Sequence, residues 1–506
     1  MNHRIARSFI GFWRHWPLAK IVHLGLLGFS AGIPILLIFS TLSLWLNEAG
    51  VEKSAVTYFS WAALGYSFKF VWAPIVDQLP LPLLSRCLGR RRSWLLLSQC
   101  LVICSILWMA SIDPAYSLVV MAFAAVALGF SSATQDIVID TYRIEYAEVN
   151  VQALLSSGYI AGYRIGMIVA GAGGLYLADI FGSSPEAYLY SAWQKTYWFM
   201  TSVMFVGVLT TLYIPEPKFQ GGNIYPYSTT TYLRFFGVFL LSVVLFITVF
   251  QLFPTFSLEI EGYAATLIHF LIEAMILLIA IVTAVGVGFL GSKYRLVDRR
   301  MLVESYYLPV SNFFSRYGQL AVWVLLLIGF YRVSDIVMGV IANLFYQNLG
   351  YSKTEIASIT KVFGLLMTIL GSFLGGFLVL RWGVMKILLL GAILSAMTNI
   401  IFVWLSVVEP TLQALTVAIV VDNLSAGLAV AAFLAWLSSL TSISFTATQF
   451  ALFSSIMTLF PKLLGGYSGS MVENVGYSAF FLFTALLGVP IIILILFLQK
   501  HLQIKE

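Results

Sequence analysis

Two carboxylates four residues apart, Asp136 and Asp140, stand in the stretch Gln135-Asp136-Ile137-Val138-Ile139-Asp140-Thr141-Tyr142-Arg143, at the end of an apolar run that begins near Tyr116. On a helix that spacing puts both on one face. Charge inside a membrane-spanning segment is costly, and it normally faces a bundle interior or a water-filled path, where it pairs or carries protons and ions. Asp136 is the first choice for proton coupling, because only a titratable acid can load and release a proton during a cycle. A permanent ion pair with Arg164 on the next helix is the competing reading. Asp140 and Arg143, with Asp77 and Arg90, are expected to make charge pairs that gate one face; simple loop anchoring is the alternative.

Arg164 and Arg332 each fall about twelve residues into a helix, roughly 18 Å at about 1.5 Å per residue. That is too deep for easy snorkelling, so each needs an anionic partner. A carboxylate on a transported molecule could accept two parallel hydrogen bonds from either guanidinium. Asp335, three residues after Arg332, offers an intrahelical pair instead. Asp422-Asn423 and Gln135 supply the mixed donors and acceptors that sugar hydroxyls and N-acetyl groups want, and Lys69 and Lys361 are buried-looking cations divided between ligand contact and internal pairing. Lys462 follows close behind. Trp45, Trp61, Tyr163, Tyr331 and Trp436 could stack on sugar rings, although most aromatics must be packing residues. Gly158, Gly162 and Gly166, and Gly371 and Gly375, are small-residue faces for close helix approach. His269 and Glu273 resemble half of a metal site, but no second pair supports one, so no metal is expected.

These residues need elements to hold them. The chain has 506 residues, 60% hydrophobic and 10% charged, with a mean hydropathy of +0.93, which excludes an ordinary soluble globule. Long apolar runs recur where a membrane barrel would show short alternating segments, so the spans are helices and the lipid bilayer is a partner. The net charge of +6 could suggest nucleic acid, but Arg and Lys gather in alternate loops, as the positive-inside bias requires, and no nucleic-acid partner is expected. Cys87, Cys100 and Cys104 read as small buried hydrophobes.

The spacing predicts spans at about 21–46, 54–76, 93–112, 115–142, 152–178 and 194–214, an inserted pair at about 232–254 and 266–290, and a second six at about 320–347, 353–380, 384–408, 411–440, 446–472 and 476–499. Residues 1–214 form an N-terminal six-helix bundle, 215–319 a linker with the inserted hairpin and a basic cytoplasmic loop, and 320–506 a C-terminal six-helix bundle. Both termini are placed in the cytoplasm. Gly89-Arg90-Arg91-Arg92 has a weaker echo in Gly375 to Gly383, and each half carries one deep arginine. Paired halves around a central path are how many secondary transporters are built.

Gly28-Phe29-Ser30-Ala31-Gly32-Ile33-Pro34, Phe68-Lys69-Phe70-Val71-Trp72-Ala73-Pro74, Gly89-Arg90-Arg91-Arg92, the stretch Gln135 to Asp140, Gly162-Tyr163-Arg164-Ile165-Gly166-Met167, Asp422-Asn423 and Phe445-Thr446-Ala447-Thr448-Gln449-Phe450-Ala451-Leu452 resemble the AmpG muropeptide permeases of the major facilitator superfamily. The resemblance implies the major facilitator fold, an all-α polytopic membrane protein with about fourteen transmembrane helices including the two inserted ones. It implies a multi-pass permease of the bacterial inner membrane, driven by the proton gradient with no cofactor and working as a monomer. Its cargo would be anhydromuropeptides, N-acetylglucosaminyl-1,6-anhydro-N-acetylmuramic acid with or without stem peptide, imported for peptidoglycan recycling and, in many bacteria, feeding β-lactamase induction. Arg332 stands where Lys is expected in that family and Asp422 where Glu is common, which changes reach and donor geometry. A permease for another anionic solute, such as acetyl-CoA or a sugar conjugate, is the second reading. No nucleophile and base constellation supports an enzyme.

Overall fold

The computed structural model describes residues 17–51, 59, 64–184, 187–218, 227–252, 263–465 and 468–502. Among these, twelve helices are long and apolar enough to cross a membrane. The two expected runs outside that number fall where residues are left undescribed: the second, which is described from Leu64–Phe68 through Ala73–Gln78, and the second inserted helix, Tyr263–Lys293. Helices are the form such a chain must take, since hydrocarbon offers no partner for a backbone N–H or C=O and a helix satisfies them internally.

The chain divides into two compact units. One holds residues 1–76, 81–220 and 317–506; the other holds 77–80 and 221–316. In the second unit the inserted helices Thr229–Leu252 and Tyr263–Lys293 pack on one another, and a short helix, Arg299–Leu302, follows, its first turn capped by Asp298, which accepts from the Arg300 N–H at 2.8 Å.

Several spans of the first unit are interrupted at membrane depth. The first pauses at Phe39 between Leu18–Ile38 and Ser40–Glu48. A 3-10 turn, Lys69–Val71, breaks the second, and Tyr331 and Arg332 separate Leu320–Phe330 from Val333–Asn348 in the seventh. Wide π-helical turns occupy Val169–Gly173, after Gln152–Ile168, and Ala357–Phe363, before Gly364–Trp382. Irregular backbone is tolerated there only where it is buried in protein or lines a cavity, and π turns gather at functional sites. Arg332, Lys69 and Lys361 each lie in such an interruption. Sequence periodicity reads straight through them.

Glycine sets the closest approaches. A Cβ on Gly162 would run into the Gly25 carbonyl oxygen, and one on Gly371 into that of Leu424. These are backbone-on-backbone contacts, Gln152–Ile168 on Leu18–Ile38 in one half and Gly364–Trp382 on Leu412–Leu440 in the other. The echo between halves is also visible in dihedrals: Gly89 and Gly383, each immediately before a helix, have φ of 91° and 84°.

The apolar clusters follow the halves. One joins Ile33 to Leu46 with Val102 to Ile112, Met121 to Leu128 and Trp193 to Met204. A second joins Val333 to Tyr351 with Phe402, Leu415 and Phe481. A third crosses between halves, bringing Ala153 against Val379, Ile387, Leu428, Ala432 and Ala435 at the end where the Arg-rich loops lie.

Candidate functional site

Asp136, Asp140 and Arg143 lie on Leu118–Tyr146, all buried, and the helix continues past Arg143. Lys69, in the 3-10 turn of the second span, sits 3.8 Å from Asp140 through Nζ and Oδ2 and also acts electrostatically on Asp136. Asp136 takes a hydrogen bond from the Tyr159 hydroxyl at 3.3 Å. Its cationic neighbour is therefore Lys69, and among the described residues no ion pair joins it to Arg164. Two acids and one lysine form a compact set.

Arg143 carries that set to the other half. Its guanidinium donates to Asp140 at 3.3 Å, to the Gln152 side-chain carbonyl at 3.1 Å, to Ser156 at 3.0 Å and to Ser438, in the second half, at 2.9 Å. The Phe450 ring, also in the second half, lies 5.3 Å from its central carbon. Ser157 donates across the same seam to the Ser372 carbonyl at 2.6 Å. With the apolar contacts of Ala153, these bonds join the halves at the Arg-rich face.

Arg90 is tied within the first half. It donates to Glu145 at 2.9 Å, beside a two-point pairing of Arg91 with the same carboxylate at 2.6 and 3.0 Å. Glu216 accepts the backbone N–H groups of Arg91 and Arg92 at 2.7 and 3.0 Å, capping Arg90–Ala110. Arg92 in turn donates to the Thr211 and Leu212 carbonyls, at the end of Tyr190–Tyr213. Asp77 lies in the last turn of the helix Ala73–Gln78, is buried, and groups with the second unit. Sequence reasoning missed Glu145 and Glu216. Their signals were an acid two residues beyond Arg143 and an acid held between Pro215 and Pro217.

Arg164 and Arg332 come from opposite halves, from Gln152–Ile168 and from the break before Val333–Asn348. Among the described residues neither has a carboxylate within ion-pair distance, so the intrahelical pair of Arg332 with Asp335 is not formed. Arg332 is the N-cap of Val333–Asn348: its carbonyl accepts from the Ile336 N–H at 3.0 Å while its own backbone, at φ −103° and ψ 11°, is outside the regular helix. Asp335 lies on Val333–Asn348 and Asp422 on Leu412–Leu440, both in the second half. Asn423 accepts from Thr368 at 2.9 Å and donates to the Ile419 carbonyl, spending its amide on helix packing. The Lys361 side chain lies outside the described residues, as do Trp61 and the side chains of His269 and Glu273.

Other expectations change. Gln135 is 0% exposed and donates at 2.9 Å to Ser30, which lies on Leu18–Ile38 of the same half. Trp45 is sealed in a stack on Trp193, and Tyr331 stacks on Phe433 while donating to the Leu388 carbonyl. Lys462 is exposed. All three cysteines are exposed too; Cys100 and Cys104 face outward from Arg90–Ala110, where hydrocarbon is as acceptable to a thiol as a core.

With this geometry in place, comparison with known proteins is direct. The Major Facilitator Superfamily model matches residues 24–334 and 323–505. Putative transporter AmpG 4 of Rickettsia felis is 30% identical over 485 residues, 96% of this chain and 98% of that protein. The anhydromuropeptide permease of Escherichia coli K12 is 28% identical over 479 residues, 94% of this chain and 79% of the permease. The solved proton:xylose symporter XylE, bound to 6-bromo-6-deoxy-D-glucose, is similar with a TM-score of 0.60 at 14% identity, covering 96% of this chain and 95% of its own. FucP in its outward conformation gives 0.59 at 10% identity, covering 96% and 98%. At these identities the structural likeness is one of fold.

Proposed function

Since the chain belongs to the Major Facilitator Superfamily, and within it to the AmpG permeases, we propose that it is a proton-coupled importer of anhydromuropeptides. It sits in the bacterial inner membrane with the Arg-rich loops and both termini cytoplasmic, works as a monomer by alternating access, and serves peptidoglycan recycling. The observation that carries this reading is the chain of contacts Lys69–Asp140–Arg143–Ser438, which links protonatable carboxylates of one half to the other half at a single face. Asp136 is the proton carrier, with Tyr159 and Lys69 against it. Protonation of Asp136 frees Lys69 to commit to Asp140, which loosens Arg143 and lets the cytoplasmic face open. Arg90, paired with Glu145, belongs to the same gate. Arg164, Arg332, Asp335 and Asp422 line the cargo path, the arginines on the acidic group and the carboxylates on sugar hydroxyls, while Asn423 shapes that wall.

Uptake of labelled anhydromuropeptide into vesicles bearing the full chain, with and without an imposed pH gradient, tests the proposal. Gradient-driven accumulation is the expected result, and equal uptake with the gradient collapsed would remove proton coupling. The two arginines suit any small anion, so another anionic solute stays the second reading. It is favoured if unlabelled anhydromuropeptide fails to compete with such a solute.

A further inference from the structure

We infer that residues 293–317 form a docking surface for anionic phospholipid, lying flat against the membrane face that carries the Arg-rich loops. The inserted helix Tyr263–Lys293 ends there, and the helical segments Arg299–Leu302, Val303–Tyr307 and Leu308–Tyr317 follow one another without a gap. At about 1.5 Å per residue that stretch is roughly 28 Å long. Only Gly318 and Gln319 separate it from the span Leu320–Phe330. A helix of that length, with one end near the exit of a membrane helix and the other at the entry of the next, runs along the bilayer surface. On the placement proposed above, that surface is the cytoplasmic one.

The side chains suit that position. Val303, Tyr306, Tyr307, Val310 and Phe314 recur at helical spacing and are all exposed, Tyr307 by 65%, while Met301, Ser305, Pro309 and Phe313 are buried. An exposed apolar stripe with tyrosines in it belongs at the headgroup boundary. Lys293, Arg295, Arg299, Arg300 and Arg316 are exposed as well. The two acids of the stretch are spent on the unit itself: Asp298 caps Arg299–Leu302, and Glu304 accepts from the Tyr227 hydroxyl at 2.5 Å. Among the described residues Lys293, Arg295, Arg299 and Arg300 form no ion pair. Arg295 ends the inserted helix at φ 57°, the left-handed conformation that glycine normally takes there, and the Leu296 N–H closes the turn on the Gly291 carbonyl at 2.8 Å. A side chain is strained at that point, and a phosphate contact at the membrane exit is a use glycine could not serve. Cations beside an apolar stripe match the phosphate and the upper acyl chain of one anionic lipid layer.

Two measurements on the full chain test this. In the first, the purified protein in neutral detergent is titrated with phosphatidylglycerol, phosphatidylcholine or inorganic phosphate, and its melting temperature is followed. Phosphatidylglycerol alone is expected to stabilise, at a half-saturating concentration that climbs with salt. Each cation removed is expected to raise that concentration about fivefold. The variants are Arg299→Gln with Arg300→Gln, and Arg295→Gly. Glycine suits the φ of 57° at that position, so lipid-free melting of Arg295→Gly should hold or rise while its lipid response falls. Equal stabilisation by the two lipids, the full effect from phosphate alone, or an unchanged response in both variants overturns the surface. The second measurement places spin labels at Val310→Cys, Phe314→Cys and Ser315→Cys, in a chain whose native cysteines are replaced, in nanodiscs containing phosphatidylglycerol. The first two are expected to be relaxed by oxygen dissolved in the lipid, and the third by a water-soluble nickel chelate. Equal relaxation of all three by the chelate overturns the flat placement. Neither measurement involves cargo, so both outcomes stand whatever the passenger is.

Discussion

At the scale of single residues, one lysine serves two acids. Asp136→Asn removes the exchangeable proton while keeping size and shape, so gradient-driven accumulation is expected to vanish while cargo exchange at equal pH persists; accumulation at the native level would take Asp136 out of the proton path. Ser438→Ala deletes the acceptor through which Arg143 reaches the second half. A hydrogen bond from a charged donor is worth about 1.5–3 kcal/mol, so the closed state should lose about a factor of ten or more. Alkylation of Ala153→Cys, buried in the seam, should accelerate accordingly, and an unchanged rate would strip Arg143 of its gating role. The acids and arginines were readable from the sequence because charge in an apolar run is rare. Their directions were less so. A membrane helix is apolar toward lipid and toward its neighbours alike, so spacing alone could not tell that Gln135 turns into the bundle or that Cys100 and Cys104 turn out.

At the scale of elements, glycines decide which helices can move against each other. Gly162→Leu would drive a side chain into the Gly25 backbone, and overpacking of this kind costs about 1–3 kcal/mol or more because backbone cannot step aside. A large fall in melting temperature is expected. Gly339→Ala meets nothing within 4 Å and should instead leave stability level or raise it by up to about 1 kcal/mol, as Ala replaces Gly in a helix. Similar melting for both variants would show that the tight pairs can slide. The small-residue spacing was plain in the sequence, and so were most spans. The breaks at Lys69 and Arg332 were not, because hydrophobic periodicity runs unbroken through a turn whose backbone is satisfied by its neighbours.

At the scale of the whole molecule, the halves meet along a seam at the Arg-rich face and keep separate apolar clusters elsewhere. Ser157→Cys with Ser372→Cys, in a chain whose three native cysteines are replaced, should cross-link across that seam, stop uptake, and leave binding of cargo from the opposite side intact. Continued uptake by the linked protein would place the moving joint somewhere else. The sixfold-plus-two-plus-sixfold plan was visible as a sequence pattern, but which helices would form the seam was not, since it depends on contacts hundreds of residues apart. Two of the seam helices, Gln152–Ile168 and Gly364–Trp382, each adjoin a π-helical turn. Each such turn holds a surplus residue. Deleting it would re-index everything beyond by about 100°, rolling Gly174–Ile180 or Lys353–Ile356 about its own axis, so that a carrier of unchanged length and greasiness would present the wrong lining to its passenger.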